Sequence, residues 1–302
     1  MKRTLVTGAS GFIGRHTLPL LLKADHEVHA VSFREKKKNE NEINWHQADL
    51  MDPSQVKELV AEVQPTHLLH FAWNTEPGKY WGNLENIQWV QASLELLLAF
   101  HAQNGNRVVM AGTCAEYDWN QEYCSEKTTP LKPNTLYGNC KRALQMMVDS
   151  FCRENQLSAS WGRIFYIYGP HEHKARLVPS VICSLLQNKP AKCSHGRQKR
   201  DLLYVEDVAS GFVSLLESDV TGAVNIASGE SVTLKDVVER IGHKVDGLDL
   251  IKFGEVPSPV DEPSLLTANT QRLREEVHWT PRFNLDTGLG KTIQWWKDTL
   301  KL

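Results

Sequence analysis

The sequence of 302 residues predicts an α/β protein, a doubly wound parallel sheet followed by a smaller C-terminal lobe. Three observations carry that expectation. Apolar, β-branched runs alternate with amphipathic stretches through the first half, a glycine-rich turn follows the first of these runs, and beyond Gly169-Pro170 the rhythm breaks into shorter, proline-punctuated pieces. In order, strands are expected at 4–6, 27–32, 67–72, 107–112 and 159–165, with a short third strand just before Asp49. Helices are expected at 15–23, 53–63, 84–102 and 137–154, the second of them capped by Asp52 just before Pro53. Residues 1–168 then form a dinucleotide-binding domain and 169–302 a smaller substrate-binding lobe, with the chain returning to the first near 201–228.

Charge and cysteine usage narrow the partners. The chain holds 34 basic and 36 acidic side chains, interspersed, so no electrostatic footprint points to nucleic acid or a membrane surface. The one basic run, Arg34 with Lys36–Lys38, sits in a polar stretch that reads as a solvated loop. Six cysteines form no Cys-x-x-Cys pair and have no histidines at ligand spacing, so no metal site is expected and the thiols read as reduced. The start runs straight into a strand and a glycine loop, and no apolar run approaches the roughly 18 residues that span a bilayer. A cytoplasmic protein that binds small molecules is the expectation.

Thr7-Gly8-Ala9-Ser10-Gly11-Phe12-Ile13-Gly14 lies between a strand and a helix, where a Rossmann fold binds the pyrophosphate of a dinucleotide. Free N–H groups and the helix dipole attract the phosphates, and absent Cβ atoms let them approach the backbone. Gly8, Ser10, Gly11, Phe12, Ile13 and Gly14 are therefore expected to hold the cofactor. The second strand ends in Ser32 where an acid commonly binds the adenine ribose diol, so no carboxylate repels a 2′-phosphate. Ser32 and Arg34 would bind that phosphate, which favours NADP(H) over NAD(H), although Arg34 equally fits the solvated run that follows it. Asp49 and Leu50 suit a contact to the adenine.

Tyr137 and Lys141 stand four apart at the start of a helix, on one face and one turn from each other. A cation near a phenol lowers its pKa from about 10 toward working pH, as a general acid/base at a carbinol or carbonyl requires. The strand at 107–112 delivers Thr113 to the crevice where ligands of open α/β sheets sit.

With these residues in view, the sequence resembles the extended short-chain dehydrogenase/reductase family, the nucleotide-sugar epimerases, dehydratases and ketoreductases. The resemblance covers essentially the whole chain. It rests on TGASGFIG (7–14), ADL (48–50), HFAW (70–73), AGTCAEYD (111–118), YGNCK (137–141), GRIFYIYGP (162–170), RDLLYVEDVA (200–209), NIASGE (225–230) and WTPRF (279–283). It implies Tyr137 as acid/base, Lys141 at the nicotinamide ribose, and Thr113 on the reacting oxygen. It also implies that Phe71, Ala72, Trp73 and Tyr166 line the cofactor, that Arg200 holds the diphosphate of a sugar nucleotide, and that the protein is a homodimer paired through helices 84–102 and 137–154. Further substrate contacts are expected from Cys114, Glu116 and His171, with His173 and Tyr117 beside them.

Departures from the family shape the activity expected. The 4,6-dehydratases carry an Asp-Glu pair after the Ser/Thr, whereas this chain reads Thr113-Cys114-Ala115, which leaves water elimination without its acid and base. Trp89 and Tyr166 stand where the family commonly has asparagines. Trp73, Trp81 and Trp89 offer either an apolar wall over a deoxy-sugar or core packing. The expectation is a nucleotide-sugar 4-ketoreductase using NADPH. Its alternatives are a 4-epimerase with tightly held cofactor and, in a different class, a non-catalytic cofactor sensor.

Overall fold

The computed structural model describes residues 2–33, 42–258 and 262–302. Strands β1 (Lys2–Thr7), β2 (His26–Ser32), β3 (Ile43–Gln47), β4 (His67–His70) and β5 (Arg107–Thr113) alternate with helices α1 (Gly14–Lys23), α2 (Pro53–Val63) and α3 (Glu85–Ala102). A two-residue strand, β6 (Tyr123–Cys124), precedes α4 (Leu136–Glu154) and β7 (Ser158–Ile164). Then come β8 (Tyr166–Tyr168), α5 (Leu177–Leu186), β9 (Ala191–Cys193), β10 (Lys199–Tyr204), α6 (Val205–Glu217) and β11 (Gly222–Ile226). The chain ends through β12 (Ser231–Thr233), α7 (Leu234–Lys244), β13 (Ile251–Phe253), β14 (Leu265–Ala268), α8 (Gln271–Glu275) and α9 (Leu285–Leu300).

The main sheet is the parallel, seven-stranded β3-β2-β1-β4-β5-β7-β11. Its central strands are buried on both faces, which is why they read as continuous apolar runs rather than alternating ones. One face packs Leu18 and Leu21 of α1 and Val208 and Phe212 of α6. The other packs α2, α3 and α4 through Val56, Leu59, Leu96, Phe100, Leu144 and Val148. Strand order reverses between β1 and β4, so the loops leaving their carboxyl ends part and open a crevice. The residue expected to cap α2 does so: the Asp52 carboxylate accepts from Ser54 N at 2.9 Å.

The expected strand 159–165 breaks one residue early. Phe165 donates its N–H to Ile226 O at 3.3 Å, and the chain turns away from the sheet into β8. There β8, β10, β12, β14 and β6 make a second sheet, and α5, α7 and α9 enclose a separate core around Ile182, Ile241 and Trp296. The segment between them, α6 and β11, belongs to the first sheet. Among the described residues no helix is long and apolar enough to cross a membrane, and no group of His, Cys, Asp and Glu is arranged to hold a metal ion.

Candidate active site

A cavity of about 550 Å³ lies over the carboxyl ends of β1, β4 and β5, between the glycine loop and the second lobe. That size suits a cofactor or a small-molecule substrate. On the sheet side it begins with Gly8, at φ +65°, where a side chain would bring its Cβ to 2.8 Å from Ala72 N. A Cβ at Gly11 would likewise come within 2.9 Å of Gly8 O. The loop is therefore packed as tightly as a backbone-only cradle allows, and no side chain caps the N-terminus of α1. Arg15 braces the loop from outside, donating to Ser10 O at 2.5 Å and Gly11 O at 3.1 Å.

Below Ala72, His70 is fully enclosed and hydrogen-bonded to Thr7 Oγ1 at 2.6 Å and Ser93 Oγ at 2.9 Å. Ser93 gives its own proton to Trp89 O, so its oxygen accepts from His70 Nε2. Burial pushes the imidazole down to about 3, and it stays neutral as a strut beneath the cavity floor.

Tyr137 and Lys141 occupy the first turns of α4, whose start is fixed by Thr135 Oγ1 accepting from Gly138 N at 3.1 Å. Both side chains are buried and both line the cavity, with Thr113 beside them. Tyr137 stands in an aromatic box. Ring centres of Tyr80, Trp81 and Trp73 lie 5.0, 5.7 and 6.3 Å away, each near perpendicular. Trp119 meets Trp81 edge-on at 5.8 Å. Such edge-to-face packing is favourable and strips water from the hydroxyl.

The phenol pKa moves up rather than down. Burial pushes the Tyr137 pKa up, hydrogen bonding with Thr113 pulls it part of the way back, and Lys141 is not among the groups that shift it. The ammonium is engaged elsewhere: Nζ donates to Ala111 O at 2.9 Å and lies 3.6 Å from the centre of the Trp73 ring. Burial lowers Lys141 to about 7, against the attraction of Glu116.

Glu116 does not face the cavity. Its carboxylate is fully buried, accepting from Thr113 N at 2.8 Å, Trp161 Nε1 at 2.9 Å and Arg163 Nε at 2.8 Å. Arg163 in turn donates to the Tyr117 hydroxyl at 3.0 Å and to Gln145 Oε1 of α4 at 2.7 Å. Tyr117 is likewise structural, passing its proton to Asn225 Oδ1 at 2.7 Å. This network fastens the end of β5 to α4, and so Thr113 to the helix that carries Tyr137.

Arg200 also lines the cavity and is fully buried. Neither acid near it in sequence is its partner. Asp201 accepts from the amides of Ser228, Gly229 and Ala268, and Asp207 from those of Arg282 and Phe283. The guanidinium instead pairs with Glu262 at 2.7 Å, a residue that no sequence motif singles out, and lies 5.2 Å from the Tyr166 ring centre. Tyr166 thus groups with Arg200 rather than with the glycine loop.

Phe71, Ala72, Trp73 and Cys114 line the cavity, with the Cys114 thiol held neutral by burial. Gly11, Phe12, Ile13 and Gly14 line it as well. Ser10, Ser32, Asp49 and Leu50 lie outside the lining. Asp49 is spent on the amide of Met51 at 2.9 Å, and Leu50 is core. His171 points away, against Arg15 at 2.6 Å and Trp295 at 4.5 Å between ring centres, while Glu172 and His173 turn inward. Arg34 lies outside the described residues. Trp89 packs behind Trp73 at 6.1 Å as core.

A Rossmann sheet with a glycine cradle at its switch point, Thr113 at the end of β5 and Tyr137 and Lys141 on α4 defines a dinucleotide-dependent enzyme of the short-chain dehydrogenase/reductase type. The chain belongs to the NAD dependent epimerase/dehydratase family, whose model matches residues 4–227. UDP-glucuronic acid decarboxylase 1 of Danio rerio is 27% identical, over 99% of this chain and 74% of its own length. Two solved structures share the fold. The UDP-N-acetylglucosamine 4-epimerase of Methanobrevibacter ruminantium M1 is 23% identical with a TM-score of 0.89, over 99% of each chain. The UDP-glucuronic acid 4-epimerase of Bacillus cereus, in complex with UDP-glucuronic acid and NAD, is 21% identical with a TM-score of 0.84, over 98% of this chain and 99% of that one.

Proposed function

We propose that the protein reduces the 4-keto group of a nucleotide-activated sugar. The observation that carries this reading is the placement of Tyr137 and Thr113 together in the cavity lining, the tyrosine inside an aromatic box, with Cys114 and Ala115 following Thr113. A proton donor and an oxygen-binding hydroxyl are present, and the acid and base that water elimination needs are not at those positions.

The glycine cradle would hold the pyrophosphate of NAD(P)H, Phe71 and Ala72 would line its path, and Lys141 would reach its nicotinamide ribose. When bound, the reduced nicotinamide supplies the hydride. Tyr137 gives its proton to the oxygen of the ketone as negative charge develops there. The Thr113 hydroxyl donates a hydrogen bond to the same oxygen, and the aromatic walls keep water from competing. A Tyr137 pKa raised by burial keeps the proton in place through the neutral range, as a donor needs. Ser32, with no carboxylate at the end of β2, supports NADP(H) over NAD(H), although a structural relative is in complex with NAD.

A 4-epimerase is the second reading, favoured by the structural relatives that carry that name. Cofactor content separates the two. Protein purified without added cofactor is expected to show no reduced or oxidised dinucleotide after denaturation and chromatography, because a reductase must exchange it each turnover; a stoichiometric complement would favour the epimerase.

Arg200 is proposed to hold the diphosphate of the substrate, its planar fork matching two phosphate oxygens once Glu262 yields or shares it. Arg200→Met is then expected to raise KM for the sugar nucleotide by an amount worth about 2–3 kcal/mol and to leave dinucleotide affinity unchanged. An unchanged KM with a lowered melting temperature would make Arg200 structural.

We further propose a homodimer. Ile87 and Leu98 on α3 and Met146 and Met147 on α4 are exposed on neighbouring helices, an apolar surface that self-association through a two-fold axis would cover. Light scattering should give twice the monomer mass, and Ile87→Glu with Met146→Glu should halve it.

A further inference from the structure

Six buried side-chain atoms among the described residues have no hydrogen-bond partner: Glu172 Oε2, Gln198 Oε1, Arg200 Nε, Ser258 Oγ, Thr267 Oγ1 and Trp296 Nε1. Two of them, on Glu172 and Arg200, belong to side chains that line the cavity. Arg200 has a role proposed above and Glu172 has none. A carboxyl that is 9% exposed and short of a partner destabilises the fold, so its presence calls for a partner that arrives from outside.

The backbone invests in this placement as well. His171, at φ +71°, occupies the left-handed region that costs a residue with a Cβ, and is held there by Arg15 and Trp295. The following amide, Glu172 N, closes a turn onto Gly169 O at 3.3 Å, and the Glu172 side chain lines the cavity. A strained turn and an unpartnered acid at adjacent positions are each unfavourable alone. Together they aim one polar group at the cavity where the second lobe begins.

The group it meets is not a phosphate. The cavity already offers phosphates the glycine cradle, Arg176 and Arg200, whereas a carboxyl with one oxygen unpartnered suits a neutral donor or acceptor. We propose that Glu172 is a ligand-binding residue whose free carboxyl oxygen hydrogen-bonds a neutral hydroxyl or carboxamide of the molecule bound in the cavity. Burial pushes the carboxyl up to about 8, with Arg176 acting in the opposite sense, so near neutrality it carries a proton and serves either a donor or an acceptor. The inference rests on the proposed function for its occupants: the neutral group belongs either to the dinucleotide, as carboxamide or ribose, or to the glycosyl unit of the sugar nucleotide.

The test is calorimetric titration of wild type, Glu172→Gln and Glu172→Leu with NADP+ and NAD+ in one arm and with UDP-glucose and dTDP-glucose in the other, alongside thermal melting. Glu172→Leu is expected to melt at or above the wild-type temperature and to bind the ligands of one arm about tenfold or more weakly, while Glu172→Gln stays within about threefold. The arm that weakens identifies the source of the neutral group. Affinities of the Leu variant within about twofold of wild type in both arms overturn the inference, and so does a Leu variant that melts lower, since the carboxyl would then be structural. Wild-type protein that binds nothing in either arm contradicts the proposed function itself.

Discussion

Tyr137→Phe is expected to turn over at least about a hundredfold more slowly than wild type while binding the dinucleotide within about threefold as well. The variant isolates one atom. The ring contacts with Tyr80, Trp81 and Trp73 persist, the Tyr137 amide still donates to Trp81 O at 3.0 Å, and Thr135 still caps the helix. Only the hydroxyl and its contact with Thr113 are lost, so the melting temperature should barely move. The pH dependence follows from the same burial. With the phenol pKa raised, the protonated donor persists through neutral pH, and its loss should lower the reductive rate only above the ordinary tyrosine range. Stopped assays of kcat across pH, with calorimetry for the dinucleotide, check both parts. A variant that retains the wild-type rate would remove Tyr137 from the proton transfer.

Glu116→Gln carries the largest expected loss of stability, about 3–5 kcal/mol, because it leaves Arg163 charged and buried with its carboxylate gone. Both partners are essentially without solvent, at 1% and 0% side-chain exposure, so water cannot screen the uncompensated guanidinium. A loss of that size is a large share of a typical folding free energy. The amide also sets an NH2 group, with two N–H donors, where Thr113 N, Trp161 Nε1 and Arg163 Nε all donate. Urea denaturation measures the loss. A change below about 1 kcal/mol together with a raised KM for substrate would return Glu116 to the role of a sugar contact.

The elements of the main sheet were legible because their signals are local. Asp52 before Pro53, the glycines between β1 and α1, and the four-residue spacing of Tyr137 and Lys141 each act within one turn of chain. Glu116 illustrates what was not. Its neighbours in sequence place it at the end of β5, facing either way, and what turns it inward is Arg163, across the sheet on β7. The partner of Arg200 was hidden for the same reason: Glu262 lies 62 residues further on, just before β14, which pairs with β10, while the nearby Asp201 and Asp207 are consumed by backbone amides. Tyr80 and Trp119 belong to loops with no periodicity, and their convergence on Tyr137 is a product of packing alone. Lys141 was placed correctly beside the tyrosine, yet its charge is directed at Ala111 O and the Trp73 ring, which no spacing rule encodes.

In the proposed reaction, hydride passes to a sugar ketone in this cavity while Tyr137 supplies the proton. Incubation with NADPH deuterated at the transferable position and a panel of nucleotide 4-keto-sugars, read by mass spectrometry, tests it directly. The expected result is oxidation of the cofactor in proportion to product and one deuterium retained on the sugar carbon. A sugar product without the label, or turnover of nucleotide sugars with no net consumption of NADPH, would contradict it.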